Sequence, residues 1–184
     1  MAVHLSDPAR PFTYEDLEDL PEDGYRREII GGSLIVTPAP NARHQLVVAQ
    51  LLALLHSAKT ATIAVLTAPY DWRLPDGGSV QPDLVVVRRD DVDLDGPLPA
   101  SARPLLVVEV LSPSNPEQDR AVKKALYEQL GVPAFWLVDP ATPSIAVFRL
   151  HRGRYQLEVT ATGNDVLESD WPFPVRVVPG ELLR

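Results

Sequence analysis

No cysteine occurs among the 184 residues. Disulfides and thiolate metal centres are therefore excluded. Any metal has to be held by carboxylates, histidine or carbonyls, which favours a hard ion such as Mg2+ or Mn2+. No apolar run reaches the roughly eighteen residues a membrane-spanning helix needs. The first ten residues lack the apolar segment of a secretory signal. A cytoplasmic protein with no membrane partner is expected. Lysine is scarce, confined to Lys59, Lys123 and Lys124, and the other cations are arginines. The formal net charge of −8 disfavours a broad, non-specific nucleic-acid surface but leaves room for a local basic cleft. The length and the 45% apolar content suit one domain, residues 1–184, around one core.

What is present is organised around residues 105–111. Leu105, Leu106, Val107, Val108, Val110 and Leu111 form a continuous apolar run, the signature of a strand buried on both faces. Glu109 lies inside it. A carboxylate there is costly unless it is paired, hydrogen-bonded or bound to a metal. Asp83 repeats the pattern at the mouth of the apolar run 84–87.

The rest of the chain reads as short elements separated by proline and glycine. Thr13 and Asp16 predict a capping box opening a helix over 14–20. Strands follow at 25–30 and 33–37, joined at Gly31-Gly32. Asn41 caps a helix reaching about Ser57, apolar almost all round. Strands are expected at 62–66 and 69–74, with a turn at Asp76-Gly77-Gly78. An acidic turn spans 90–95, a proline-rich loop 96–104, and breakers occupy 112–116. A helix over 117–130 ends at Gly131. A strand at 134–138 and a hairpin of 144–150 with 155–160 follow, and the remainder reads as edge strands or cover. The fold class is α/β, a mixed central sheet flanked by helices with N- and C-terminal β-hairpins.

In the helix over 117–130, Val122, Ala125, Leu126 and Gln129 form the expected core-facing stripe. Lys123 shares a flank with Asp119, Tyr127 and Leu130, while Lys124 falls with Arg120 and Glu128 on the solvated side. Asp83 and Glu109 at two strand ends, Glu28 from the first hairpin and Lys123 from the packed helix suit a metal-dependent phosphodiesterase. The acids would hold Mg2+ or Mn2+, whose chemistry is to polarise a phosphate and acidify a water. Lys123 would orient that water or stabilise developing charge. His44, at the start of the long helix, and Tyr127 are outside candidates. Gln45 is weaker still, and Trp72, Trp136 and Trp171 read as packing. Structural alternatives stand beside these roles: Asp83 as a strand start, Glu109 paired with Arg27 or Arg103, Glu28 paired with a surface arginine, and Lys123 paired with Asp119.

Pro82-Asp83 followed by Glu109-Val110-Leu111 resembles the PD-(D/E)-x-K signature of restriction-endonuclease-like proteins. Over nearly the whole length the chain is similar to one bacterial branch, the Uma2 endonucleases. The matching stretches are Arg27-Glu28-Ile29-Ile30-Gly31-Gly32, Pro82-Asp83-Leu84, Val107-Val108-Glu109-Val110-Leu111-Ser112-Pro113-Ser114, Lys123 with Tyr127, Gly131-Val132-Pro133 and Trp136-Leu137-Val138-Asp139-Pro140. The resemblance implies a restriction-endonuclease-like core and a DNA-cleaving hydrolase that pairs as a homodimer. By it Glu28, Asp83 and Glu109 are acidic site residues, and Val110 lends its backbone carbonyl to the metal. Leu111 stands where the superfamily lysine belongs, and in this branch the lysine moves to the following helix, matching Lys123. Two alternatives stay open: a catalytically silent nucleic-acid- or protein-binding module, and an enzyme acting on another phosphoester.

Overall fold

The computed structural model describes residues 3–7, 10–21, 23–112 and 117–184, with backbone alone for 117–120. In chain order the elements are β1 (Val3–Leu5), α1 (Glu15–Glu18), β2 (Arg26–Ile30), β3 (Ser33–Thr37), α2 (Ala42–Ala58), β4 (Ile63–Thr67), β5 (Trp72–Arg73), β6 (Ser79–Val80) and β7 (Leu84–Arg88). Then come β8 (Leu106–Val110), α3 (Glu117–Gln129), β9 (Ala134–Asp139), β10 (Ser144–His151), β11 (Arg154–Thr162), β12 (Leu167–Ser169) and β13 (Val175–Val177).

The central sheet runs β11-β10-β9-β8-β7-β4. Only β8 and β9 pair in parallel, with α3 as their crossover; its other pairs are antiparallel. Continuous apolar runs make β7 and β8 the buried middle. Leu84, Val86, Leu106, Val108 and Val110 face one core with Val48, Leu51 and Leu55 of α2. Val85, Val87 and Val107 face a second core with Trp72, Tyr127 and Phe135. This two-sided burial follows from strand alternation. A second sheet, β1-β3-β2-β6-β5, is antiparallel and carries the N-terminal hairpin. Its Gly31 and Gly32 both have positive φ, as a two-residue hairpin turn requires.

Five expectations change. The helix over 14–20 shrinks to Glu15–Glu18, and Thr13 does not cap it with its side chain; instead Thr13 N–H donates to Asp16 at 2.8 Å. Helix α2 is buried on one face only, for Leu46 is 52% exposed. The strand expected at 69–74 is reduced to Trp72–Arg73, since Pro69 brings no N–H to a ladder. In α3 the buried residues are Lys123 and Tyr127, while Val122, Ala125 and Gln129 are exposed. The acids of β2 and β8 draw the lysine flank inward, and an apolar stripe alone does not reveal that. Lys124 is half-buried rather than solvated, with its ammonium 3.9 Å from the Phe148 ring centroid. The breakers at 113–116 lie outside the described residues.

Beyond the central sheet, β12 and β13 pair with each other, and Leu167, Phe173 and Val177 join the α2 core. Gly78 sets the approach of β6 to β2: a Cβ there would meet the Ile29 carbonyl oxygen at 2.4 Å. Gly78→Ala is therefore expected to destabilise the fold by about 1–3 kcal/mol, as overpacking does. Thermal melting measures it, and an unchanged midpoint would refute this account of the glycine.

Candidate active site

Five elements bring charged side chains to one place. Strand β2 alternates, so Arg26 and Glu28 share a side. The segment after β6 delivers Asp83, whose carbonyl accepts from Thr67 Oγ1 at 3.0 Å. Its carboxylate is pinned by the Val110 N–H, which donates to Oδ2 at 2.8 Å. Strand β8 supplies Glu109, and α3 supplies Lys123 and Tyr127. Asn41 caps α2 by accepting from the His44 N–H at 3.0 Å, which fixes His44 in the first turn.

Lys123 is the bridge. Its Nζ stands 2.8 Å from Glu28 Oε1 and 3.1 Å from Glu109 Oε1. Tyr127 Oη donates to the same Glu109 oxygen at 2.6 Å, while its ring stacks on Trp72 with centroids 6.2 Å apart. Arg26 Nη1 donates to Asp83 Oδ1 at 2.9 Å, and Arg26 Nε lies 3.8 Å from Glu28 Oε1. His44 Nε2 stands 3.1 Å from Asp83 Oδ2. Glu28 also accepts from the Gln81 N–H at 2.8 Å. Glu28, His44, Asp83, Glu109 and Lys123 are each no more than 5% exposed. Their charges therefore act on one another in a weakly screening interior.

Burial opposes ionisation of every acid here. At Asp83 it is outweighed by Arg26 and His44, so the carboxyl sits well below the usual range. At Glu28 it is outweighed by Lys123 and Arg26, and the pKa again falls. At Glu109 burial prevails over Lys123, helped by the neighbouring Asp83, and the pKa rises. Burial works against the charge on Lys123 but loses to Glu109 and Glu28, so its pKa is raised. Burial and the Glu109 carboxylate push the Tyr127 hydroxyl well above its ordinary value. With three carboxylates and the two cations Arg26 and Lys123, full ionisation leaves one negative charge in excess. Glu109 is where that excess is felt.

The donor set fits a hard divalent ion in its chemistry: three buried carboxylates, a surplus negative charge and no sulfur. As arranged, the acids are interleaved with cations. Among the described residues no three acidic or histidine side chains form a metal-binding group.

Glu28, Asp83, Glu109 and Lys123 all meet here, and His44 and Tyr127 touch the acids directly. The alternative partners of Glu109 are elsewhere: Arg27 pairs with Asp23 at 2.6 Å, and Arg103 donates to the Ser101 carbonyl at 2.8 Å. A pairing of Lys123 with Asp119 falls on a side chain outside the described residues. Sequence reasoning missed Arg26. Alternation places it on the same side as Glu28, but nothing local says that this side meets Asp83. The three tryptophans pack as expected, Trp171 with its Nε1–H donating to the Leu105 carbonyl at 2.9 Å.

A crystal structure described as "a putative nuclease belonging to DUF820", from Anabaena variabilis, superposes with a TM-score of 0.76 at 19% identity. The match covers 94% of this chain and 98% of that one, and it establishes a shared fold. No curated protein matches the chain. The family model for Uma2, described as "Putative restriction endonuclease", matches residues 14–178. That span takes in β2, Asp83, β8 and α3, the elements that assemble the buried charge cluster, and it carries a nuclease-like function class. The chain belongs to the Uma2 family.

Proposed function

We propose that this protein is a divalent-metal-dependent endonuclease that hydrolyses phosphodiester bonds of DNA. The observation that carries the reading is the buried Glu28–Lys123–Glu109 bridge beside Asp83, with one negative charge in excess. Asp83, Glu109 and the Val110 carbonyl would hold Mg2+ or Mn2+, with Glu28 reaching it through water. An ion held there supplies Lewis-acid polarisation of the scissile phosphate and a more acidic water. Lys123 stays protonated between its two carboxylates and offers a compact positive charge to the developing phosphate anion. Arg26 and the Val110 N–H position Asp83. Tyr127 holds Glu109 by donating its hydroxyl hydrogen bond. The chain acts as one domain in the cytoplasm, and two copies paired as a homodimer would cut both strands.

The interleaved cations favour a second reading, a silent binding module in which Arg26 and Lys123 permanently neutralise the acids. Incubation of supercoiled plasmid and single-stranded DNA with Mn2+ or Mg2+ separates the two. Cleavage with either ion, abolished by EDTA, is the expected result. No cleavage with either ion, or cleavage indifferent to EDTA, would overturn the endonuclease reading.

A further inference from the structure

A cavity of about 260 Å3 opens beside Asp83, between the β2 entry, the first turns of α2 and the loop after β4. We infer that it is a pocket for a single unstacked nucleobase, next to the phosphate that is cut; this rests on the endonuclease reading. Its volume lies just below the roughly 300 Å3 at which drug-sized sites begin, so it suits one ring system and not a duplex. Ala39, Pro40, Val48 and Pro69 give it apolar lining, as the faces of a base require. Tyr25 also lines it and is 52% exposed, leaving a ring available for stacking. The amide of Gln45, on an exposed residue, can meet the polar edge of a base.

The end of the cavity nearest the charge cluster is built differently. Arg26 and His44 both line it with Asp83. Arg26 Nε and Nη2 and His44 Nδ1 are buried and lack hydrogen-bond partners among the described residues. The His44 side chain is only 6% exposed. Buried polar groups of this kind are costly unless a ligand or solvent meets them. A nucleotide suits both halves at once, its base against the apolar lining and its phosphate at the end lined by the Arg26 cation and His44. Pulling a base out of a stack is costly in a duplex and least costly in a single strand. The pocket therefore implies a preference for single-stranded or frayed DNA.

The test is fluorescence anisotropy in EDTA at low salt, where cleavage plays no part. Two labelled single strands of equal length are compared, one with all its bases and one wholly abasic. Wild type is expected to bind the first at least tenfold more tightly. Ala39→Leu, which fills the cavity from an exposed loop position, is expected to erase that difference. Tyr25→Ala is expected to reduce it about fivefold or more. Melting curves matching wild type verify that both variants are folded. Equal binding of the two strands by wild type, or a difference retained in Ala39→Leu, overturns the pocket. If the plasmid is still cut in that case, the endonuclease reading survives. Conversely, a base preference erased in Ala39→Leu and reduced in Tyr25→Ala, with no cleavage under any ion, leaves a nucleobase pocket in a protein that does not cut and sinks the endonuclease reading.

Discussion

Lys123→Met is expected to cost the protein about 3–5 kcal/mol of stability, the usual penalty for stranding buried charge. The lysine is only 5% exposed and bridges Glu28 and Glu109. Methionine fills similar volume, so the loss comes from electrostatics and not from a cavity. Without the ammonium, two carboxylates share a site in which Arg26 is the remaining nearby cation, and that arginine is already engaged by Asp83. Thermal or urea unfolding measures the loss. Combining Lys123→Met with Glu109→Gln is expected to recover part of it, because the variant cluster then carries two acids against one cation instead of three. A Lys123→Met protein as stable as wild type would mean that the cluster is well solvated in solution, against the burial described above.

Glu109→Gln is the opposite case, with small structural cost and a large functional one. The Tyr127 hydroxyl and the nearer Lys123 contact both fall on Oε1, which glutamine retains. Oε2 becomes an amide NH2, which cannot accept from the ammonium, so only the longer 3.3 Å contact to Lys123 is lost. Removing the charge also leaves Glu28 and Asp83 balanced by Arg26 and Lys123. Stability in EDTA is therefore expected to stay within about 1 kcal/mol of wild type. Cleavage is expected to fall by about 100-fold or more, the scale seen when one preorganised electrostatic group is removed from an active site. A variant that unfolds would place Glu109 among residues kept for stability.

Much of this arrangement was legible in the sequence because burial makes charge conspicuous. Glu109 stands out within an apolar run, and Asp83 stands out at the mouth of another. The strand pairings of 25–30 with 33–37 and of 144–150 with 155–160 follow from glycine turns and alternation, and the helix from Asn41 from its cap. The buried face of α3 was not legible. Periodicity ranks stripes by hydrophobicity, and here the stripe that turns inward carries a lysine whose burial depends on acids from two distant strands. Arg26 was hidden for a related reason. Three consecutive charged residues, Arg26 to Glu28, open β2, and nothing local says which side of that strand meets Asp83. The helix α2 reads as apolar almost all round because leucine, valine and alanine fill nearly all of 46–55, although only one face meets the sheet. Sequence thus pointed to the acids, and tertiary contact chose their cations.

On the proposed reading, the buried cluster of Glu28, Asp83, Glu109 and Lys123 cuts DNA with the help of a divalent ion. Its most direct test is the nicking rate of supercoiled plasmid in Mn2+, measured for wild type and Glu109→Gln under identical conditions. Wild type is expected to nick the plasmid, and the variant to do so about 100-fold or more slowly. Equal rates in the two proteins would contradict that reading.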